Sequence, residues 1–226
     1  MTDPNRAPLQ FAAKELGKMK DEVVFVGGAV AGVLITDSAA ARIRSTKDVG
    51  CIVEVASRAE YDTRIRDQLL KQGFTVLTGD GIPICAWQKG GIRLDVMPTE
   101  EDILGFSSRW YAGALRSAIR TDIGEIEINV ISAPYFLATK LAAFTSRGKG
   151  DFLKSHDMED LIAVIDGRAS LSDDVKTADG EVKAYVQAEM TRLLSNDNFL
   201  GALPGLVLDS GRDTVILDRM KTIARE

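Results

Sequence analysis

The sequence predicts an α/β fold for the first part of the chain and a mainly helical second part. Up to residue 132, short β-branched runs alternate with helical patterns, and residues 125–131 alternate between apolar and polar side chains, which is typical of a half-buried strand. Beyond Pro134, the pattern becomes helical throughout. We therefore predict an α/β domain, residues 1–132, and a helical domain, residues 133–226.

The first elements form a strand, a glycine turn and a helix in succession. Residues 9–20 have the spacing of a short amphipathic helix, and the compact run at 23–26 is typical of a buried strand. Gly27 and Gly28 follow, and residues 29–34 resemble the start of a helix. Glycines in this place allow the backbone to approach a ligand closely.

A second strand and a capped helix come next. Residues 49–55 form the predicted strand, and residues 58–72 the predicted helix. Ser57 is a suitable N-cap, with Glu60 as its capping-box partner, and Gly73 is a suitable C-terminal stop.

The remaining elements follow from the same patterns. Glycines at 90 and 91 separate two apolar runs and predict a hairpin. The predicted strands cover residues 74–77, 83–88, 92–97 and 125–131. The predicted helices cover residues 100–104, 107–117, 136–144, 156–165, 182–194 and 213–224.

Composition excludes several kinds of site. The formal net charge is −5, so nucleic acid could bind only through a local basic patch. His156 is the only histidine, which excludes multi-histidine metal sites, and Cys51 and Cys85 lie in apolar runs without a CxxC spacing. The N-terminus is polar and no run is apolar enough to span a membrane, so we expect a cytoplasmic protein.

Three features of the first 132 residues suggest a phosphate-handling site. These are the glycine turn, Asp48 at the start of one strand and Asp95 within a later strand. Residues two apart on a strand share a face, so Asp48 and position 50 lie together, and Asp95 joins them if the strands are neighbours. Carboxylate oxygens are the ligands that Mg²⁺ prefers, and two such ions can clamp a phosphoryl transfer.

With these residues the sequence resembles the nucleotidyltransferases of the polymerase-beta type, and among them the AbiEii/AbiGii-type toxin family of bacterial toxin–antitoxin and phage-defence systems. The resemblance covers roughly residues 20–168. It rests on the glycine turn, on RSTKD at 44–48, on Asp95, and on the segments ATKLAAF at 138–144, RGKGD at 147–151 and SHDMED at 155–160.

The resemblance implies a metal site with one acid missing. Asp48, the residue two positions later and Asp95 would hold two Mg²⁺ ions, but this chain has Gly50 where the family has an acid. Glu54 is four residues further along the strand, about 13 Å away, and is a poor substitute. Gly50 is either natural, in a degenerate enzyme, or an engineered replacement that allows a toxic protein to be expressed.

The resemblance also implies residues that handle the nucleotide. Gly27, Gly28, Ser45, Thr46, Lys140, Arg147 and Asp160 would form the nucleotide site. Lys140 would contact the triphosphate as a point charge, with Arg147 and Lys149 adding to the positive field. Asp157 or Asp160 would orient Lys140 or the acceptor, and Ser45 or Thr46 could itself accept a nucleotide.

The implied function is transfer of a nucleotide from an NTP to the 3′ end of a tRNA or to a protein side chain, by a toxin that has a cognate antitoxin. Asp48, Asp95 and Lys140 would be its catalytic residues. Two alternatives remain open. The chain could be a catalytically dead module that binds a nucleotide or a partner, or an unrelated α/β protein whose acids are surface features. His156 and Ser155 are equally explained by the N-terminus of a surface helix.

Overall fold

The structure is a computed structural model that describes residues 3–37, 39–40, 43–148, 150–207 and 211–225. The chain forms two compact units. The sheet unit contains residues 4–30 and 45–132, and the helical unit contains residues 31–44 and 133–226, together with Asp3. The predicted fold class, a mixed sheet with flanking helices followed by a mainly helical second half, is confirmed.

The sheet unit is built on a seven-stranded mixed sheet in the order β3-β4-β5-β2-β1-β7-β6. Its strands are β1 (Val23–Val26), β2 (Asp48–Val53), β3 (Thr75–Val76), β4 (Ala86–Lys89), β5 (Ile92–Pro98), β6 (Ile119–Asp122) and β7 (Glu127–Val130). β2 pairs with β5 and β1 with β7 in parallel, whereas the other neighbours are antiparallel. All four residues of β1 are buried, which agrees with its uninterrupted apolar sequence.

The hairpin between β4 and β5 has the predicted two-glycine turn. Lys89 pairs with Ile92, and Gly90 and Gly91 between them have φ angles of 57° and 78°. Two successive positive φ angles are the signature of a turn that matches the strand twist, and glycine adopts them without a steric penalty. This hairpin fixes the position of β5, which carries Asp95.

β6 was not predicted from the sequence. It runs as Ile-Arg-Thr-Asp at the edge of the sheet, and its residues are exposed or partly exposed. An edge strand buries little on either face, so its sequence lacks the apolar alternation by which strands are recognised.

Helices of the sheet unit flank the sheet. They are Arg6–Leu16, a 3₁₀ helix at Gly17–Asp21, a 3₁₀ turn at Gly28–Val30, Arg58–Glu60, a π-helical turn at Tyr61–Arg66, Asp67–Lys71, Glu101–Leu104 and Tyr111–Arg116. The helical run 58–71 begins as predicted, because the Ser57 hydroxyl accepts a hydrogen bond from the Glu60 amide at 3.2 Å. The Glu60 carboxylate accepts from the amide of Ala56, one residue earlier than a capping box requires.

The helical unit contains Ala31–Leu34, Ala133–Arg147, His156–Gly167, Leu171–Lys176, Gly180–Leu194, Asp197–Leu206 and Asp213–Arg225. The four helices predicted beyond Pro134 are all present. The helix Asp197–Leu206 was missed because Gly201, Pro204 and Gly205 disfavour a helix by composition.

Hydrogen bonds and ion pairs explain why residues 31–44 group with the C-terminal helices. The amides of Thr36 and Asp37 both donate to the carbonyl of Gly167, at 2.9 and 2.8 Å. Arg212 then joins the carboxylates of Asp37 and Asp166, at 2.9 and 2.6 Å. Asp166 is buried, so this arginine supplies the counter-charge that its carboxylate requires.

In the described part of the chain, no helix combines the length and apolar character required to cross a membrane. Cys51 and Cys85 are buried free thiols, as the sequence predicted. Burial raises the pKa of Cys85 to about 12, so this thiol is inert at neutral pH. Trp87 and Trp110 are packing residues within the core.

Candidate functional site

The glycine turn follows β1 directly. Gly27 has a φ angle of 78°, a conformation that residues with a Cβ rarely adopt, and Gly28 begins the short 3₁₀ turn. Apart from its chain neighbours, no atom of the described residues lies within 4 Å of the position where a Cβ of Gly27 would stand. The need for glycine here therefore comes from the backbone angle and not from crowding.

Asn5 connects this turn to the segment that leads into β2. Its side-chain amide donates to the carbonyl of Gly28 at 3.4 Å, and its side-chain oxygen accepts from the amide of Thr46 at 2.8 Å. Asn5 is 1% exposed, so both bonds are shielded from water. No role for this residue was predicted from the sequence, because its two hydrogen-bond partners lie far away along the chain.

We expect Asn5→Ala to lower the free energy of unfolding by about 1–3 kcal/mol, since it leaves partly buried backbone groups without this partner. Urea denaturation measures the change. Asn198→Ala is the matched control, because Asn198 is exposed and its replacement should have little effect. If the two variants are equally stable, Asn5 does not tie the two segments together.

Asp48 and Asp95 lie on neighbouring parallel strands, as the acidic-site hypothesis required. The register pairs Asp48 with Arg93 and Gly50 with Asp95. Residues paired in register point to the same face, and so do residues two apart on one strand. Asp48, Arg93, Gly50 and Asp95 therefore occupy one face of the sheet, which we call the acidic face.

Gly50 stands in the centre of the acidic face. It is paired with Asp95 on one side and with Val26, the last residue of β1, on the other. Its φ angle is outside the left-handed region, so the backbone does not require glycine. A Cβ would lie 3.3 Å from the Val26 side chain and carbonyl oxygen, and 3.4 Å from Met97 Cε, which is tight but not forbidden.

Arg93 forms a two-pronged hydrogen bond with Asp95 on the acidic face. Arg93 Nε donates to one carboxylate oxygen and Nη2 to the other, both at 2.7 Å. These bonds raise the pKa of Arg93, burial opposes the rise, and the charges of Asp95 and Asp48 add to it. Asp95 is thus already paired with a fixed cation, a contact that the sequence reasoning did not foresee.

The residues of the acidic face do not fit two magnesium ions. Gly50 offers no side-chain oxygen, and the Arg93 guanidinium engages both oxygens of Asp95. Among the described residues there is no group of three or more acidic, histidine or cysteine side chains that could hold a metal ion. Asp48 is exposed and contributes one carboxylate, which is too few oxygen ligands for Mg²⁺.

Ser45 and Thr46 lie in the segment that leads into β2. Ser45 is exposed. The Thr46 hydroxyl accepts a hydrogen bond from the amide of Asp48 at 3.1 Å, so it fixes the backbone at the start of β2. Their contribution to a nucleotide site stays a prediction.

Lys140, in the helical unit, is surrounded by carboxylates. Its ammonium lies 2.6 Å from Asp160 Oδ2 and 3.1 Å from Asp157 Oδ1. All three residues are buried, with Lys140 7% exposed. The predicted orientation of Lys140 by Asp157 or Asp160 therefore involves both acids, and its contact with a triphosphate stays a prediction.

Two arginines complete this group, which we call the buried charge cluster: Arg44, Lys140, Arg147, Asp157 and Asp160. Arg44 holds Asp160 at 2.9 and 3.1 Å, and Arg147 holds Asp157 at 2.8 and 2.9 Å. Burial alone would raise the pKa of Asp157, but Arg147 and Lys140 more than offset it and the pKa is lowered. The Asp157 carboxylate is therefore charged and paired at neutral pH.

The cluster contains three cations and borders a third carboxylate, because Arg44 Nε also lies 4.0 Å from Glu159. Three cations surround two carboxylates, and the Arg147 side chain is 71% exposed. An exposed guanidinium is a suitable contact for phosphate. Lys149, to which the sequence analysis also assigned positive charge, lies outside the described residues.

His156 and Ser155 have the structural roles that the sequence allowed. The Ser155 hydroxyl accepts from the Met158 amide at 3.3 Å and caps the helix His156–Gly167. His156 is exposed and its Nδ1 lies 2.8 Å from Glu159. Neither residue lies in the buried charge cluster.

Comparison with solved structures shows a likeness in fold. The chain is similar to an antigenic nucleotidyltransferase-like protein from Paracoccidioides brasiliensis, with a TM-score of 0.55 and 21% sequence identity over 91% of this chain and 93% of that chain. No family model matches the sequence, and no curated protein matches it either. The likeness shows a nucleotidyltransferase-like fold, as the resemblance implied, whereas membership of the AbiEii/AbiGii-type toxin family stays a prediction.

Proposed function

We propose that this chain is a nucleotidyltransferase-type toxin whose transfer activity is impaired by Gly50. It would bind an NTP and carry its nucleotide to a tRNA or protein acceptor. The observation that supports this proposal best is the acidic face, where Asp48 and Asp95 lie on adjacent parallel strands and Gly50 is directly opposite Asp95.

The chemistry explains why a single missing acid matters. The acceptor oxygen forms a bond to the α-phosphorus while the bond to pyrophosphate breaks, and negative charge spreads over the phosphoryl oxygens. The rate depends on cations placed to stabilise that charge. We expect two magnesium ions only in a protein that has an acid at position 50. In this proposal, that is the Gly50→Asp variant or a related protein that retains the acid.

A second candidate function is a nucleotide-binding or partner-binding module without catalysis. The Arg93–Asp95 pair favours it, because a fixed guanidinium already neutralises the carboxylate that a metal ion would need. The same fold would then bind a nucleotide, or an antitoxin-like partner, without transferring anything.

Expression of Gly50→Asp in bacteria tests the first function against the second. We expect this variant to arrest growth, whereas the original chain and Gly50→Asn should be harmless. Asparagine has the same size as aspartate but no charge, so it controls for crowding near Val26. If Gly50→Asp is harmless while the original chain binds NTP in equilibrium dialysis, the module is the better account. If neither protein binds any NTP, the transferase and the nucleotide-binding form of the module are both wrong.

A further inference from the structure

We propose that Arg93 is a tethered cation that holds Asp95 in place of a divalent metal ion, so that a metal ion binds the acidic face only by displacing its guanidinium. This inference rests on the proposed function only in treating the acidic face as the ligand site. It goes further by naming a second residue, besides Gly50, that sets the metal requirement.

The geometry of the pair indicates that Arg93 competes directly with a metal ion for the oxygens of Asp95. Both oxygens of Asp95 accept a hydrogen bond from the same guanidinium at 2.7 Å. A planar fork on a carboxylate is the strongest arrangement available to arginine, and it occupies the oxygen atoms that a metal ion would use. The side chains of Arg93 and Asp95 are 23% and 18% exposed, so water screens the pair only in part.

The position of Arg93 also places its charge beside Asp48. The two residues are paired in register on β5 and β2, and the negative charge of Asp48 helps to raise the pKa of Arg93. A divalent ion that approached Asp48 and Asp95 would therefore meet a fixed positive charge on the same face. Repulsion between like charges adds to the competition for the Asp95 oxygens.

Gly50 and Arg93 both reduce the negative charge of the acidic face. Glycine removes one negative charge from the centre of the acidic face, and arginine neutralises another. Two carboxylates and one guanidinium leave this face with a single net negative charge, which is little for a divalent cation. Gly50→Asp alone would leave Asp95 hydrogen-bonded to Arg93. We therefore expect the highest metal affinity only when Gly50 and Arg93 are both replaced.

Manganese binding, measured by electron paramagnetic resonance without nucleotide, tests this inference. We expect Arg93→Met to bind Mn²⁺ about tenfold more tightly than the original chain, since it removes two charge-assisted hydrogen bonds and a repelling charge. Gly50→Asp/Arg93→Met should also exceed Gly50→Asp by about tenfold. Arg120→Met is the matched control, because Arg120 pairs with Glu127 in the same sheet but away from Asp95, and it should change nothing.

A second variant keeps the test decisive if Arg93→Met folds poorly. Arg93→Lys retains the charge but cannot form the fork, so it should bind Mn²⁺ with an affinity between those of the original chain and Arg93→Met. Equal manganese affinity in the original chain and in every folded Arg93 variant would overturn the inference. Because the measurement uses metal alone, this failure is distinct from a failure of NTP binding or of growth arrest.

Discussion

Gly50→Asp should raise the rate of nucleotide transfer by about 10²–10³-fold, the effect of one well-placed electrostatic group at a reacting phosphate. The new carboxylate would stand beside Asp95 and two residues from Asp48, which places a third carboxylate on the acidic face. The measurement is the transfer of label from an α-³²P-labelled NTP to tRNA or protein, with each of the four NTPs in turn.

The space around position 50 determines the controls for this experiment. A Cβ there would lie 3.3 Å from Val26 and 3.4 Å from Met97, so these neighbours must move by a few tenths of an ångström. Gly50→Asn imposes the same crowding without charge and should stay inactive. Gly50→Asp/Asp95→Asn should also stay inactive, because it removes the paired acid. Equal labelling by Gly50→Asp and Gly50→Asn would contradict a role for the missing carboxylate.

Lys140→Met should lower the free energy of unfolding by about 2–3 kcal/mol, because removal of one partner from a buried ion pair leaves an incompletely compensated charge. Lys140 is the cation that Asp157 and Asp160 share, at 3.1 and 2.6 Å. Arg147 and Arg44 would still hold one acid each, which keeps the expected loss below that of a fully orphaned pair. Methionine preserves the apolar stem, so the change reports mainly on charge.

The pH dependence of this variant gives an independent check. A carboxylate whose pKa is lower in the folded than in the unfolded chain stabilises the fold above the unfolded pKa, and this stability is lost as the pH falls. The pKa of Asp157 is lowered in the fold, partly by Lys140. We therefore expect the stability difference between the original chain and Lys140→Met to shrink as the pH falls below about 4.

Lys154→Met is the matched control for Lys140→Met. The Lys154 side chain is 88% exposed and its ammonium lies 3.4 Å from Asp151, a surface pair that contributes little. Urea denaturation of both variants at pH 7 and at pH 3.5 measures the difference between their free energies of unfolding. If Lys140→Met is as stable as Lys154→Met, the lysine is held for a ligand and not for the fold.

The sequence predicted those parts of the fold that have a strong local signal. The buried strand Val23–Val26, the two-glycine hairpin and the four longer C-terminal helices all follow from patterns within a few residues. The edge strand Ile119–Asp122 and the helix Asp197–Leu206 lack such signals, the first because it is exposed and the second because it contains glycine and proline.

Contacts between residues far apart in the sequence were harder to predict than helices and strands. Asp48 and Asp95 were predicted to share a face if their strands were neighbours. The parallel pairing of β2 with β5 meets this condition. The bridge made by Asn5 and the attachment of residues 31–44 to the helical unit join segments far apart in sequence. No local pattern encodes such contacts, and even the Arg93 fork, two residues from Asp95, depends on side-chain rotamers that a sequence does not show.

Photo-labelling with NTPs that carry a benzophenone on the γ-phosphate tests most directly whether the acidic face is the nucleotide site. We expect mass spectrometry to find the label in peptides that contain residues 43–53, residues 92–98 or the adjacent glycine turn at 27–28. An excess of the unmodified NTP should remove this label. Label confined to other peptides of the chain, or label that the unmodified NTP does not displace, would contradict a nucleotide site at the acidic face.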